Sequence, residues 1–344
     1  MTERTTKHNR AVALWLLVCC TLVFVMVMLG GVTRLTGSGL SMVHWRPVTG
    51  VLPPLQSADW NELFSAYQLS PEFRKINHDM NMAEFKNIFW LEYAHRLLGR
   101  VIGLVFALPF IFFLLRGYIT RSEWPRYSLM FALGGLQGLL GWYMVKSGLV
   151  DNPHVSQYRL TVHLVAAFAI YAYLFWTAMS LLFRATDPVR HSWYGRTLVV
   201  TSFVFITVVS GGFVAGLKAG LVYNTFPLMA GHVIPPGLFS ATPVWRNIFE
   251  NITTVQFDHR YLGLLTFGAI VTYWFYSCRQ ASFPPRARLA VHLLLAACLT
   301  QVFLGIATLL LRVPIPLAAA HQANALVLFT VALYLCHCLR GRPV

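Results

Sequence analysis

The amino-acid sequence predicts an all-α integral membrane protein with eight transmembrane helices, arranged as two tandem, pseudo-symmetric four-helix bundles. Three observations support this fold class. The chain has 344 residues, of which 57% are hydrophobic and only 11% are charged, so a soluble core could not bury its apolar surface. Apolar segments of about 20 residues, which is long enough to cross a bilayer, recur along the chain. Motifs of the first half also recur in the second half.

The eight apolar segments are the predicted membrane spans. They cover Ala11–Gly30, Ile88–Leu115, Tyr127–Val145, Leu160–Phe183, Leu198–Leu217, Phe257–Ser277, Leu289–Leu311 and Leu317–Leu339. The first segment follows basic residues, as the core of a signal peptide does, but it is long for that role and has no small-residue cleavage site. We therefore interpret it as a membrane helix.

The net charge of +15 is explained by membrane topology rather than by a nucleic-acid partner. Basic residues are concentrated in the termini and short segments on one side of the predicted spans. The long loops 31–87 and 218–247 lie on the other side, where acidic residues collect. The positive-inside rule then places both termini in the cytoplasm and the long loops outside, in what we expect to be a bacterial inner membrane.

The six cysteines favour neither disulfides nor a metal site. They lie within or at the ends of predicted helices, and an outside loop contains none that an oxidising compartment could pair. Packing as small apolar residues is the simpler interpretation.

An internal repeat organises the chain. The motif His-Arg-x-Leu-Gly occurs at His95–Gly99 and again 164 residues later at His259–Gly263. The pattern Gln-x-x-x-Gly recurs at the same offset, at Gln137–Gly141 and Gln301–Gly305. Each half contains four spans, so the halves, residues 1–190 and 191–344, should share one orientation. Inverted-repeat transporters differ, because their repeats face opposite ways.

Four histidines lie inside the predicted spans, two in each half: His95, His163, His259 and His321. An ionisable side chain in the bilayer is costly and suggests function. Each histidine has glycine or alanine four positions later, on the same helix face, where a flat macrocycle would need clearance. Two imidazoles per half would give each bundle one bis-histidine haem, with iron as the metal. The alternative is that they are hydrogen-bonded polar residues between helices.

Of the polar residues beside these histidines, one pair is the same in both halves and another differs. Arg96 and Arg260 directly follow a histidine and could bind haem propionates, although snorkelling to the interface competes with that role. Glu92 lies one turn before His95, whereas the equivalent residue of the second half is Gln256. This asymmetry suggests that one half carries out chemistry while the other transfers electrons. A structural role of Glu92, bonding a neighbouring helix, is the alternative.

Several of these motifs together resemble the haem A synthases of the mitochondrial type, and the resemblance extends over essentially the whole chain. The matching segments are Gly30–Met42, Trp45 with Pro47 and Pro53-Pro54, and Glu84–Arg96. The resemblance implies an oxidoreductase that converts a methyl group of haem O to a formyl group through an alcohol intermediate. The product, haem A, serves terminal oxidases.

The resemblance also implies roles for individual residues. His95 and His163 would hold the substrate haem O in the N-terminal half, with Glu92 in the catalytic site. His259 and His321 would ligate a permanent haem b in the C-terminal half. The implied partners are membrane lipid, an unidentified electron donor, haem O synthase or oxidase assembly factors, and a second copy of the chain.

The sequence leaves two other classes of function open. A dihaem membrane cytochrome that only transfers electrons would contain unmodified haem b alone, and the difference between Glu92 and Gln256 argues against it. A solute transporter is disfavoured by the parallel repeats.

In the outside loop, Trp60, Phe64, Tyr67 and Phe73 have near-helical spacing, which predicts an interfacial helix lying on the membrane rather than covering the haem site.

Overall fold

The protein is described here from a computed structural model, which covers residues 3–44, 49–150, 153–183 and 190–341. Trp45 and Pro47, which belong to the motifs quoted above, lie outside the described residues. The described residues form helices and loops without β-strands, apart from one isolated bridge between Met229 and His232.

Eight long helices dominate the described residues. They are α1 (Glu3–Leu35), α4 (Met82–Leu115), α5 (Trp124–Lys146), α6 (Gln157–Leu182), α7 (Tyr194–Gly216), α9 (Ile252–Ser277), α10 (Pro285–Leu310) and α11 (Ile315–Leu339). Shorter helices lie in the connections. They are α2 (Ser57–Gln68), α3 (Pro71–Lys75) and α8 (Asn247–Glu250), with 3-10 turns at Thr49–Val51, Ala219–Leu221 and Val244–Arg246.

Seven of the long helices have the length and apolar composition needed to cross a membrane. The predicted all-helical membrane character is therefore confirmed. The exception is α9, which contains the predicted span Phe257–Ser277. It has 26 residues, but Asp258, Arg260 and several tyrosines lower its mean hydropathy. The count of eight spans and their arrangement as two bundles stay predictions.

The helix that carries His95 extends well beyond its apolar part. Asn81 caps α4, because its side-chain oxygen accepts from the backbone N–H groups of Ala83 and Glu84 at 2.9 and 3.1 Å. Glu84 in turn accepts from the Asn81 N–H at 2.9 Å, which completes a capping box. With 34 residues, α4 is about 51 Å long, whereas the apolar layer of a bilayer is about 30 Å thick. One end of α4 therefore projects beyond the membrane.

The projecting end of α4 is covered by α2. Trp60 and Tyr67 of α2 are buried in one cluster with Phe85, Phe89 and Tyr93 of α4. The Trp60 ring lies edge-on to Phe89 at 5.0 Å between centroids. The aromatic face of α2 thus packs on protein, which differs from the expected membrane-lying orientation.

Polar contacts stabilise the connection between α2 and α4. Burial raises the pKa of Tyr67, so its hydroxyl stays protonated and donates to the carboxylate of Glu72 at 3.1 Å. The side-chain amide of Asn77 donates to the same hydroxyl at 2.8 Å. These bonds satisfy polar groups that would otherwise be costly to bury.

The chain divides into two compact units. One comprises residues 21–167, and within it α4 packs on α5. The other comprises Met1–Cys20 and Phe168–Val344. In that unit α7 packs on α9 and α11, and α10 packs on the same two helices, so these four helices form a closed bundle.

Candidate functional site

His259 on α9 and His321 on α11 face each other within their bundle. Their ring centroids are 6.5 Å apart and the ring planes are nearly perpendicular, at 86°. Two metal–imidazole bonds of about 2 Å each, plus the distance from each ring centre to its nitrogen, would separate the centroids by roughly 6 Å. Both imidazoles could therefore ligate one metal ion between them.

The remaining ligands of such an ion would have to come from a bound group. Within the described residues, no three side chains of histidine, cysteine, aspartate or glutamate are placed to hold a metal together. A haem iron needs only two axial ligands from the protein, because the porphyrin supplies the others. The histidine pair therefore fits a haem and does not fit a protein-only metal site.

Each of the four histidine rings packs against a glycine on a neighbouring helix. A Cβ atom added to Gly30 or Gly305 would approach the Cε1 atom of the ring more closely than real side chains do, and at Gly141 or Gly211 the contact would be tight enough to make the ring shift. The distances are 2.8 Å for Gly30 and His95, 3.1 Å for Gly141 and His163, 3.1 Å for Gly211 and His259, and 2.9 Å for Gly305 and His321. We refer to these four residues as the seat glycines.

The seat glycines explain part of the internal repeat. Gly141 and Gly305 are the glycines of the repeated Gln-x-x-x-Gly pattern, which the sequence marked without giving them a role. The glutamine of the pattern also contacts the histidine helix. Gln137 donates to the backbone carbonyl of His163 at 2.8 Å, and Gln301 donates to that of His321 at 3.1 Å.

Two of the small residues four positions after the histidines, Gly263 and Gly99, can be checked for the clearance that the sequence suggests. No described atom lies within 4 Å of a Cβ placed on Gly263, one turn after His259. At Gly99, one turn after His95, the nearest neighbour is the terminal methyl of Met26 at 3.6 Å, an ordinary contact. The space beside these ligands is compatible with a flat macrocycle.

Glu92 is buried on α4 and is surrounded by hydrogen-bond donors, with a side chain only 4% exposed. One carboxylate oxygen accepts from the Ser41 hydroxyl at 2.6 Å and from the backbone N–H of Met42 at 2.8 Å. The other oxygen forms an ion pair with Arg96. The carboxylate therefore holds the chain after α1 against α4, one turn from His95.

The arginine after each repeated histidine makes the same contacts in both halves. Arg96 donates to the carbonyls of Met42 and His44, at 2.9 and 3.4 Å. Arg260 donates to the carbonyls of Tyr223 and Thr225. These residues follow Gly211 by 12 and 14 positions in the sequence, just as Met42 and His44 follow Gly30. These carbonyl contacts were not predicted from the sequence, because they depend on the path of a loop.

Glu92 and its counterpart Gln256 form opposite kinds of hydrogen bond with equivalent loops of the two halves. The Gln256 amide donates to the Tyr223 carbonyl at 3.1 Å, whereas Glu92 accepts from the N–H of the equivalent Met42. Both residues are buried, at 2% and 3% exposure. The asymmetry noted in the sequence thus places a fully buried carboxylate beside the first histidine pair, where the equivalent residue of the second half is an amide.

Comparison with known proteins is consistent with this arrangement. The family model of the cytochrome oxidase assembly proteins, COX15-CtaA, matches residues 13–333. A protein of Nitrosospira multiformis named Heme A synthase is 54% identical over 344 residues, which is 98% of this chain and 96% of that protein. Heme A synthase of Nitrosomonas eutropha is 51% identical over 341 residues, covering 98% of this chain and 96% of its own.

The similarity extends to mammals. Heme A synthase COX15 of Homo sapiens is 48% identical over 349 residues, which is 97% of this chain and 84% of the human protein. The family model spans residues 13–333, which include both halves of the repeat and the positions of all four histidines. The chain therefore belongs to the COX15-CtaA family of cytochrome oxidase assembly proteins.

Proposed function

We propose that this protein is a haem A synthase, an oxidoreductase that converts a methyl group of haem O to the formyl group of haem A. The proposal is carried by relatives named Heme A synthase, which are about 50% identical to this protein over nearly its whole length. The paired histidines support it. The dihaem cytochrome considered from the sequence finds no comparable support.

The two histidine pairs are assigned different haems. In the N-terminal half, residues 1–190, His95 and His163 hold the substrate haem O. In the C-terminal half, residues 191–344, His259 and His321 ligate a resident haem b. The 6.5 Å separation of the ring centroids in the second pair would allow both histidines to hold one haem iron. The seat glycines of both pairs support a ring orientation that is fixed before the haem binds.

Conversion of a methyl to a formyl group removes four electrons and four protons and adds one oxygen atom from water. Haem b, when bound, would supply one-electron transfer. The protein must bind the substrate, orient the methyl group and accept protons. Glu92 is the residue we assign to proton handling or to positioning of the oxygen nucleophile, because it is the buried carboxylate one turn from His95.

Arg96 and Arg260 are proposed to face the haem propionates as well as the loop carbonyls. Each guanidinium has more donors than the carbonyl contacts use. The Nε–H of Arg260 is buried without a hydrogen-bond partner among the described residues. A propionate oxygen would satisfy such a donor.

The enzyme is proposed to lie in the inner membrane of a bacterium with both termini in the cytoplasm. The bacterial relatives and the seven long apolar helices support a membrane location. The distribution of basic residues supports the orientation. In this topology the histidines lie near the outer surface.

Extraction of the haems from purified protein tests the proposal. Protein produced in cells that make haem O should contain haem b together with haem O, its alcohol or haem A. Replacement of His95 or His163 by Ala should remove the substrate and product haems and retain haem b. His259→Ala should disturb haem b instead. The control is His292→Ala, an exposed histidine on α10.

Two results would contradict the assignment. Haem b as the only pigment, in cells that supply haem O, would indicate an electron carrier rather than a synthase. Unchanged haem content in both His95→Ala and His163→Ala would remove these histidines from the substrate site.

A further inference from the structure

The four histidines differ in what their Nδ1 atoms contact. The Nδ1 atom of His259 lies 2.8 Å from the hydroxyl oxygen of Ser210 on α7. The Nδ1 atoms of His95, His163 and His321 are buried and have no hydrogen-bond partner among the described residues. Among the described residues, His259 is therefore the one of the four histidines whose Nδ1 atom has a side-chain hydrogen-bond partner.

The direction of this hydrogen bond follows from the surroundings of Ser210. The serine hydroxyl donates its only hydrogen to the backbone carbonyl of Thr207 at 2.8 Å. Its oxygen can then only accept from His259, so Nδ1 carries the proton. The neutral imidazole consequently has its lone pair on Nε2, which is the form that binds a metal.

We propose that Ser210 is a positioning residue that fixes the tautomer of His259 and makes this ligand a stronger electron donor to haem b. The inference rests on the proposed function, because it takes His259 as an iron ligand. A hydrogen bond from the far side of an imidazole raises its basicity and fixes its orientation. A more basic axial ligand favours ferric over ferrous iron, so Ser210 lowers the reduction potential of haem b and slows its release.

The internal repeat supplies a comparison at the same position of the other half. Ser210 directly precedes the seat glycine Gly211, and the residue before the seat glycine Gly30 is Leu29. Leucine cannot accept a hydrogen bond from His95. Among the described residues, the Nδ1 atom of His95 thus has no hydrogen-bond partner, which suits a haem that must enter and leave.

A second difference between the halves points the same way. The Oε1 atom of Gln301 accepts from the Asn324 amide at 2.8 Å, which fixes the glutamine beside His321. The Oε1 atom of Gln137 is buried without a partner among the described residues. The residue three positions after His163, equivalent to Asn324, is Ala166. The network around the second pair is therefore more complete.

Redox titration of haem b tests the role of Ser210. The variant Ser210→Ala is made in a His95→Ala, His163→Ala background, so that only the C-terminal site binds haem. We expect a higher midpoint potential, a retained two-histidine absorption spectrum, and haem release faster by about tenfold or more. The control is Ser202→Ala, an exposed serine on the same helix.

The reciprocal change tests the asymmetry. Leu29→Ser, made in a His259→Ala, His321→Ala background, gives His95 an acceptor at the equivalent position. We expect slower release of haem from the N-terminal site than with Leu29. An unchanged release rate would contradict the claim that this position distinguishes the two sites.

The outcomes separate the inference from the function on which it rests. If Ser210→Ala has the potential and release rate of Ser202→Ala, Ser210 has no tuning role, and the haem assignment is unaffected. If His259→Ala leaves the spectrum of haem b unchanged, the ligand assignment itself is wrong and the inference is overturned with it.

Discussion

A histidine that binds a haem from inside a helical bundle must keep its ring in one orientation. In this protein the ring rests on the backbone of a neighbouring helix at a glycine, which happens for all four histidines. The absence of a side chain lets the helices approach and leaves the ring edge in contact with the backbone. Small residues serve close helix packing in membranes generally, and here the partner of the contact is a histidine that we propose to be a haem ligand.

Replacement of a seat glycine by alanine should therefore displace a ligand. The Cβ of alanine at position 141 would lie 3.1 Å from the Cε1 atom of His163. We expect Gly141→Ala to lower substrate-haem content by about tenfold or more, as loss of a ligand's support typically does. Haem extraction measures this. The control is Gly134→Ala on the same helix, where a Cβ meets no described atom within 4 Å. Equal haem contents would contradict the role of the glycine.

The carboxylate of Glu92 makes structural contacts and has a proposed catalytic role, and one substitution can separate the two. Glu92→Gln removes the ion pair with Arg96 but keeps an oxygen that can accept from Ser41 or Met42. We expect the variant to bind haem O while haem A formation falls by about a hundredfold or more, the usual effect of losing a proton-transfer group. Mass spectrometry of extracted haems measures both quantities.

A matched control lies on the same helix. Glu84 accepts from the Asn81 N–H at 2.9 Å in the capping box of α4, a position that glutamine also fills well. Glu84→Gln should therefore leave haem A formation near the wild-type level. Normal haem A formation in Glu92→Gln, without accumulated alcohol, would reduce Glu92 to a structural clamp.

At the level of elements, the packing of α2 on α4 is the feature that holds the outside loop in place. Trp60 is part of this contact: its ring lies against Phe89, and the Lys86 ammonium lies 4.9 Å from its centroid. Replacing a buried tryptophan by alanine costs about 3–5 kcal/mol. We expect Trp60→Ala to release α2, so that limited proteolysis cleaves the segment 49–81 faster than in the wild type.

A solvent-exposed position of the same loop provides the control for this experiment. Leu69, which directly follows α2, is 68% exposed, so Leu69→Ala removes little packing. It should leave the cleavage rate near the wild-type value. Equal rates for Trp60→Ala and Leu69→Ala would show that the aromatic cluster does not determine the stability of the loop.

The boundaries of the helices show what the sequence could and could not predict. Hydropathy located the apolar part of α4 from Ile88, but the helix begins at Met82. The polar first turn is stabilised by Asn81 and by contact with α2, and neither leaves a hydropathy signal. The spacing of Trp60 and Tyr67 predicted one apolar face on a helix. It did not indicate whether lipid or protein covers that face, because both are apolar.

The candidate site was predictable to a similar extent. The histidines and the seat glycines recur in the same order in both halves, at offsets of 164 residues for His95 and Gly141, 158 for His163 and 181 for Gly30. The hydrogen bond of Ser210 does not repeat, and a serine in an apolar helix has no distinguishing pattern. The partners of Arg96 and Arg260 are backbone carbonyls, which every residue carries. Such contacts depend on loop paths that the sequence alone does not specify.

At the level of the whole molecule, duplication produced two related ligand pairs with different surroundings. The buried carboxylate beside His95 and the serine beside His259 each lack a counterpart in the other half. We interpret this as the separation of a site where substrate reacts from a site where a haem stays bound. The four spans predicted for each half would give the halves the same orientation in the membrane.

The orientation depends on whether α9 crosses the membrane. Seven long helices meet the hydropathy expected for a span, and α9, which carries His259, does not. Because His259 and His321 lie within ligation distance of one metal, and α11 is one of the seven, we expect α9 to lie among the spans. The loops at its two ends should then be on opposite sides of the membrane.

Alkaline phosphatase, which is active only outside the cytoplasm, can report on these two loops. A fusion after Ala230, before α9, should be active, and a fusion after Gln280, between α9 and α10, should be inactive. A fusion after Arg121, between α4 and α5, is the cytoplasmic control. Activity at both Ala230 and Gln280 would mean that α9 returns without crossing. The two halves would then have different numbers of spans, and the parallel repeat on which both haem assignments rest would be excluded.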